Sequence, residues 1–201
     1  MTHQYTRPEW SHTLDMVALD HLAEHGWWLI DQALPDDLYQ ALRQESRQPQ
    51  HYQAAGVAQG QLATHIRSDQ TRWLEPHDVA GSVYLTALGE LSDWLNQQLY
   101  VGIQRVEAHY ACYEVGQSYA LHHDNVAGST ARVISTVLYL NDQWQPIDGG
   151  LLRLQDRQGQ WQHILPCGNQ MVVFDSNLRH EVQAAQQTRR SIAGWLRRDQ
   201  S

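Results

Sequence analysis

The stretch YALHHDN, Tyr119 to Asn125, carries the residue types best able to do chemistry. Two imidazoles and a carboxylate are poor choices for a packed strand, because burying them costs free energy unless each finds a partner. In a strand, residues i and i+2 point to one face. His122 and Asp124 therefore share a face, and His123 turns away from it. An imidazole and a carboxylate presented together are two of the three ligands in a 2-His-1-carboxylate site, which leaves open positions on non-haem Fe(II). The pair alone is weak. With twelve histidines in the chain, roughly one His-x-Asp arises by chance. A loop histidine beside a turn aspartate is the competing reading, and His109 reads as an ordinary strand residue.

The third ligand has to come from elsewhere. SNLRHEVQAAQQTRRSIAGW places His180 just after the strand-like run QMVVFD, with Arg189 nine residues further on. Arg189, Ser191, Ala193 and Trp195 then alternate along a second run, and a hairpin could bring such a His and Arg to one cavity. A guanidinium suits a dicarboxylate, because its planar fork makes paired charge-assisted hydrogen bonds. Arg190 is the competing anchor, but alternation puts Arg189 on the face of Trp195.

In this order the residues resemble the Fe(II)- and 2-oxoglutarate-dependent dioxygenases. More narrowly, they are similar to the prolyl hydroxylases that modify hypoxia-inducible factor and to their bacterial relatives. The resemblance runs from about Ala63 to Trp195. HYACYEVGQSYALHHDN, ARVISTVLYLNDQW, DGGLLRL and HEVQAAQQTRRSIAGW carry it, and IRSDQTRWLE resembles the family's loop ahead of its central helix. It implies that His122, Asp124 and His180 hold iron. It also implies that Arg189 and Tyr139 bind the distal carboxylate of 2-oxoglutarate, with Tyr113 beside the cosubstrate. Arg132, Tyr119 and Asp69 would line the substrate approach, and Trp195 would wall the pocket near the metal. The cofactors it implies are Fe(II), 2-oxoglutarate and O2, with ascorbate as an accessory reductant. The activity it implies is hydroxylation of a prolyl residue in a protein, and a translation factor is the target it suggests for a bacterial chain. Leu121 departs from the animal enzymes, which carry a basic residue there. A dioxygenase acting on another residue or a small molecule, and an inactive metal-binding β-barrel, are the competing functions.

Positioning such a set takes strands and a core to pack them on. In SHTLDMVALDHLAEHGW, Leu14, Val17, Ala18 and Leu22 fall near a 3.6-residue period, and Gly26 supplies a stop. WWLIDQAL reads as a buried strand. A helix opens at Pro35, Asp36 and Asp37 and runs to about Gln48. Residues 49–63 lack a period and read as a long loop. GSVYLTALGELSDWLNQQLY is a second amphipathic helix. Beyond residue 100 the chain becomes short strand-like runs separated by turn signals such as DRQGQ and PCGN. Helices followed by strands predict an α+β fold: a double-stranded β-helix, or jelly-roll, core with N-terminal helices packed on it. One catalytic domain over 1–201 is expected, with 1–100 as mainly helical support and 101–198 as the β-rich core.

Composition narrows the partners. The chain has 201 residues and a formal net charge of −8, and phosphate-backbone binding needs a basic footprint instead. Its two cysteines, Cys112 and Cys167, form no CxxC pair, which argues against a thiolate zinc site. No apolar run reaches membrane-spanning length and the opening residues lack a secretory pattern. A cytoplasmic protein with a protein substrate, bound to neither nucleic acid nor membrane, is expected.

Overall fold

The computed structural model describes residues 5–56, 66–125 and 130–198. Residues 57–63 of the predicted loop, and much of the NVAGST turn, lie outside them.

The predicted first helix is two. Helix α1 is Trp10–Thr13 and α2 is Met16–His25. The break falls where Asp15 caps α2, its side chain accepting from the Ala18 N–H at 2.9 Å. Such a cap satisfies one of the orphan donors of the first turn. Gly26 ends α2 in the left-handed region, φ 83°. Strand β1, Trp27–Ile30, stops before the predicted Leu34, and α3, Asp36–Ser46, ends two residues short of Gln48. A two-residue strand β2, Gln53–Ala54, interrupts the expected loop. IRSDQTRWLE contains a strand, β3 Gln70–Trp73, rather than a loop alone. Helix α4 is Val79–Leu99. Its Leu88, Leu91 and Leu95 are fully buried, and burial of such a side chain contributes roughly 1.5–3 kcal/mol.

The strands that follow are β4 Arg105–Tyr113, β5 Tyr119–His122, β6 Arg132–Tyr139, β7 Leu152–Gln155, β8 Trp161–Ile164, β9 Met171–Asp175, β10 His180–Val182 and β11 Arg189–Arg197. They form two antiparallel sheets. The larger runs β1-β9-β6-β11-β4-β3-β2 and the smaller β5-β10-β7-β8. This is a jelly-roll core with the helices against the large sheet, an α+β fold.

Period-two alternation divides the large sheet between two cores. Met171 and Val173 of β9 pack with the helices, while Val172 and Phe174 pack between the sheets. Tyr110 of β4 joins the helix side, and Ala111 and Tyr113 join the inter-sheet side. Ile192 and Leu196 of β11 likewise face the helices. Arg189, Ser191, Ala193 and Trp195 are left for the space between the sheets. A cavity of about 390 Å³ opens there.

Candidate active site

His122 ends β5 and His180 begins β10, and the two are register partners across the small sheet. Their ring centroids are 4.2 Å apart. Asp124 lies past the end of β5, in a bend, so strand alternation is not what orients it. Its backbone N–H donates to the Ser176 carbonyl at 3.0 Å. That bond swings the carboxylate to 3.8 Å from His122 Nε2 and 3.7 Å from His180 Nε2. One ligand atom from each of the three lies within 4.8 Å of the others. Among the described residues this is the one grouping of its kind. His123 is outside it, exposed, with Nδ1 2.7 Å from the Asn125 carbonyl.

The hydrogen bonds fix which nitrogens face inward. His122 Nδ1 is 2.8 Å from the Ala120 carbonyl and His180 Nδ1 is 2.9 Å from the Leu178 carbonyl. A carbonyl only accepts, so each Nδ1 carries the proton and each Nε2 offers its lone pair. Burial, with His180 alongside, pushes His122 down to about 3, which keeps it a neutral ligand. Burial opposes charge on Asp124, but His180, His122 and the Ser135 hydroxyl outweigh it and hold the carboxyl below its ordinary range. Two neutral imidazoles and one carboxylate suit Fe(II).

The inner end of the cavity is built for an anion. Arg189 is 1% exposed. Its Nε donates to the Gly150 carbonyl at 3.0 Å and Nη1 to Ser191 Oγ at 3.2 Å. Its guanidinium lies 5.2 Å from the rings of both Tyr113 and Tyr139. Arg189 Nη2 and the Tyr139 hydroxyl are buried without a hydrogen-bond partner. Such atoms are costly unless a ligand satisfies them, and one carboxylate supplies acceptors for both. Arg190 points the other way, its Nη1 donating to the Ser46 carbonyl of α3 at 2.8 Å.

At the mouth, Arg132 stacks 3.8 Å over Trp195 and is tied to Glu107 at 3.1 Å and to the Asp124 carbonyl at 3.1 Å. Tyr119 stacks on His122 with centroids 3.6 Å apart. Asp69 is fully buried and reaches the cavity only through Arg67, which it grips at 2.7 and 3.1 Å. Arg67 in turn lies 4.6 Å over the Tyr119 ring. Sequence reasoning missed Arg67, although Arg-x-Asp at i, i+2 was a visible same-face pair. It also passed over His109, which lines the cavity between Trp73 and Trp195, 5.2 Å from each ring.

The model of the 2OG-Fe(II) oxygenase superfamily matches residues 108–197, the span that holds the three metal-facing residues and Arg189. Among solved structures, a prolyl-4-hydroxylase from Pseudomonas putida is 37% identical with a TM-score of 0.83, covering 91% of this chain and 98% of that one. A prolyl hydroxylase solved with a hypoxia-inducible-factor peptide fragment from Trichoplax adhaerens shares the fold, with a TM-score of 0.84 at 22% identity over 94% of this chain and 89% of that one. Egl nine homolog 1 of Homo sapiens is 29% identical over 200 residues, 89% of this chain and 46% of that protein. The chain thus spans about half the length of the curated relative. The geometry and these likenesses agree, and the chain belongs to the 2OG-Fe(II) oxygenase superfamily and, within it, to the prolyl 4-hydroxylase family.

Proposed function

We propose that the protein hydroxylates a prolyl residue in a protein, using Fe(II), 2-oxoglutarate and O2 and releasing succinate and CO2. The carrying observation is that one cavity is lined by both the His122–Asp124–His180 grouping and Arg189, whose buried Nη2, like the hydroxyl of the neighbouring Tyr139, has no hydrogen-bond partner. The bound metal with its cosubstrate supplies oxidative decarboxylation coupled to oxygen insertion into a C–H bond.

The chain supplies the rest. His122, Asp124 and His180 hold the ion with neutral nitrogens and one negative charge. Arg189 and Tyr139 take the distal carboxylate of the cosubstrate, and Tyr113 flanks it. Leu152, Val182 and Phe174 give this end of the cavity apolar walls that exclude water. Arg132, Tyr119 and Trp195 line the way in, with Arg67 in the place that Asp69 was expected to fill. The cavity is too small for a folded domain but admits one side chain of an extended loop, which fits a flexible segment of a protein such as a translation factor.

The test is succinate release with candidate proteins, followed by mass spectrometry of the product. One added oxygen atom on proline is expected. Added oxygen found only on other residues overturns the prolyl assignment.

A further inference from the structure

Asp124 sits outside any strand, yet a metal ligand has to be held still. Its carboxylate has a chain of its own. Ser135 Oγ of β6 donates to Asp124 Oδ2 at 2.5 Å, and Ser135 Oγ lies 2.9 Å from Ser176 Oγ. Both serines are buried, with exposures of 1% and 0%. The proton inventory orders the chain. An ionised carboxylate only accepts, so the single Ser135 proton goes to Asp124. Ser135 can then only accept from its neighbour, and the Ser176 hydroxyl must donate to it. The sequence of donation is Ser176 to Ser135 to Asp124. A hydroxyl that accepts one bond while donating another is the stronger donor. Ser176 also accepts, through its carbonyl, the Asp124 backbone N–H. One residue thereby grips Asp124 at both its main chain and, through Ser135, its side chain.

We infer that Ser135 and Ser176 form a positioning relay for the metal carboxylate, holding it through Oδ2. The inference rests on reading His122, Asp124 and His180 as the iron ligands. The relay ties the end of β5 to β6 and to the residue after β9, so the ligand is set by the large sheet although its histidine partners stand on the small one.

The test is direct titration of the metal-free full chain with Co(II), read by the visible absorption of the bound ion, with Mn(II) binding as a second probe. Ser135→Ala is expected to weaken binding about tenfold or more, the usual scale for loss of a hydrogen bond to a metal ligand, and to change the Co(II) spectrum. Ser135→Thr keeps the hydroxyl and is expected to restore both. Ser176→Ala acts one bond further away and is expected to give a smaller loss in the same direction. Thermal melting of each metal-free variant separates a folding defect from a site defect. If Ser135→Ala does not fold, Ser176→Ala against Ser135→Thr decides the matter. Affinity and spectrum unchanged in every folded alanine variant overturn the relay while leaving the iron site standing. Wild-type protein that binds neither ion, or binds it equally after His180→Ala, overturns the iron site itself.

Discussion

Arg189 lines the inner end of the cavity with its guanidinium 5.2 Å from the phenol ring of Tyr139, and each of the two keeps one buried polar atom without a partner. This pair predicts an asymmetry between two neighbouring arginines. Arg189→Gln removes a charge-assisted bond of about 1.5–3 kcal/mol, so 2-oxoglutarate affinity is expected to fall about tenfold to a hundredfold. Arg190→Gln, whose parent side chain binds the Ser46 carbonyl, is expected to leave it unchanged. Isothermal titration with metal present reads both, and equal losses would contradict the assignment.

Tyr139→Phe separates binding from folding. The hydroxyl is buried and unpartnered, so its removal relieves a desolvation cost of about 1–3 kcal/mol in the free protein. Denaturant unfolding is expected to show a variant at least as stable as wild type. Its 2-oxoglutarate affinity is expected to drop by about tenfold to a hundredfold, the worth of one hydrogen bond to a charged carboxylate. A variant that loses stability would show that the hydroxyl is already satisfied.

Much of this site was legible from period two. Arg189, Ser191, Ala193 and Trp195 share the cavity, as alternation along β11 required. Phe174 and Val172 face them for the same reason. Asp124 was found, but by a faulty route, because the strand ends at His122 and a bond to the Ser176 carbonyl orients the aspartate. That bond joins residues far apart in sequence, which no local pattern encodes. Ser135 lay on the Tyr139 face and could have been singled out, but its link to Ser176 depends on the register of β6 against β9. Strand β3 was missed because Gln70–Trp73 has no alternating apolar pattern, and its pairing with β4 decides its conformation.

Gly150 predicts a backbone dependence of cosubstrate binding. Its φ is +64°, and a Cβ there would meet Ala185 Cβ at 2.9 Å, Trp144 at 3.1 Å and Arg189 Cδ at 3.3 Å. Its carbonyl also accepts from Arg189 Nε. Gly150→Ala is expected to destabilise the fold by about 1–3 kcal/mol and to weaken 2-oxoglutarate binding by displacing Arg189. Gly116, also at positive φ but with open space around it, is the control. Gly116→Ala carries the backbone strain alone and is expected to spare cosubstrate affinity.

His109 predicts the acid limb of stability. Burial, with Arg67 and Arg132 adding to it and Asp69 opposing, pushes the imidazole down to about 4. In the unfolded chain it titrates near 6.5. Above that pH both states are neutral and His109 contributes no slope. Below it the unfolded chain takes up a proton that the folded chain refuses until about pH 4, so stability falls as pH falls through this window. The loss reaches about 2 kcal/mol at pH 5 and about 3 kcal/mol at pH 4. His122 is depressed by burial too and adds a slope of the same sign, so the measurement is a difference. Urea unfolding of metal-free wild type and His109→Phe at pH 7 and pH 5 is the comparison. The variant keeps a ring between Trp73 and Trp195 and loses the titrating group with its Nδ1 contact to the Tyr110 carbonyl, a loss common to both pH values. Its stability is expected to fall by about 2 kcal/mol less than that of wild type over this interval, and parallel profiles would mean that His109 takes up its proton as readily in the folded protein as in the unfolded chain.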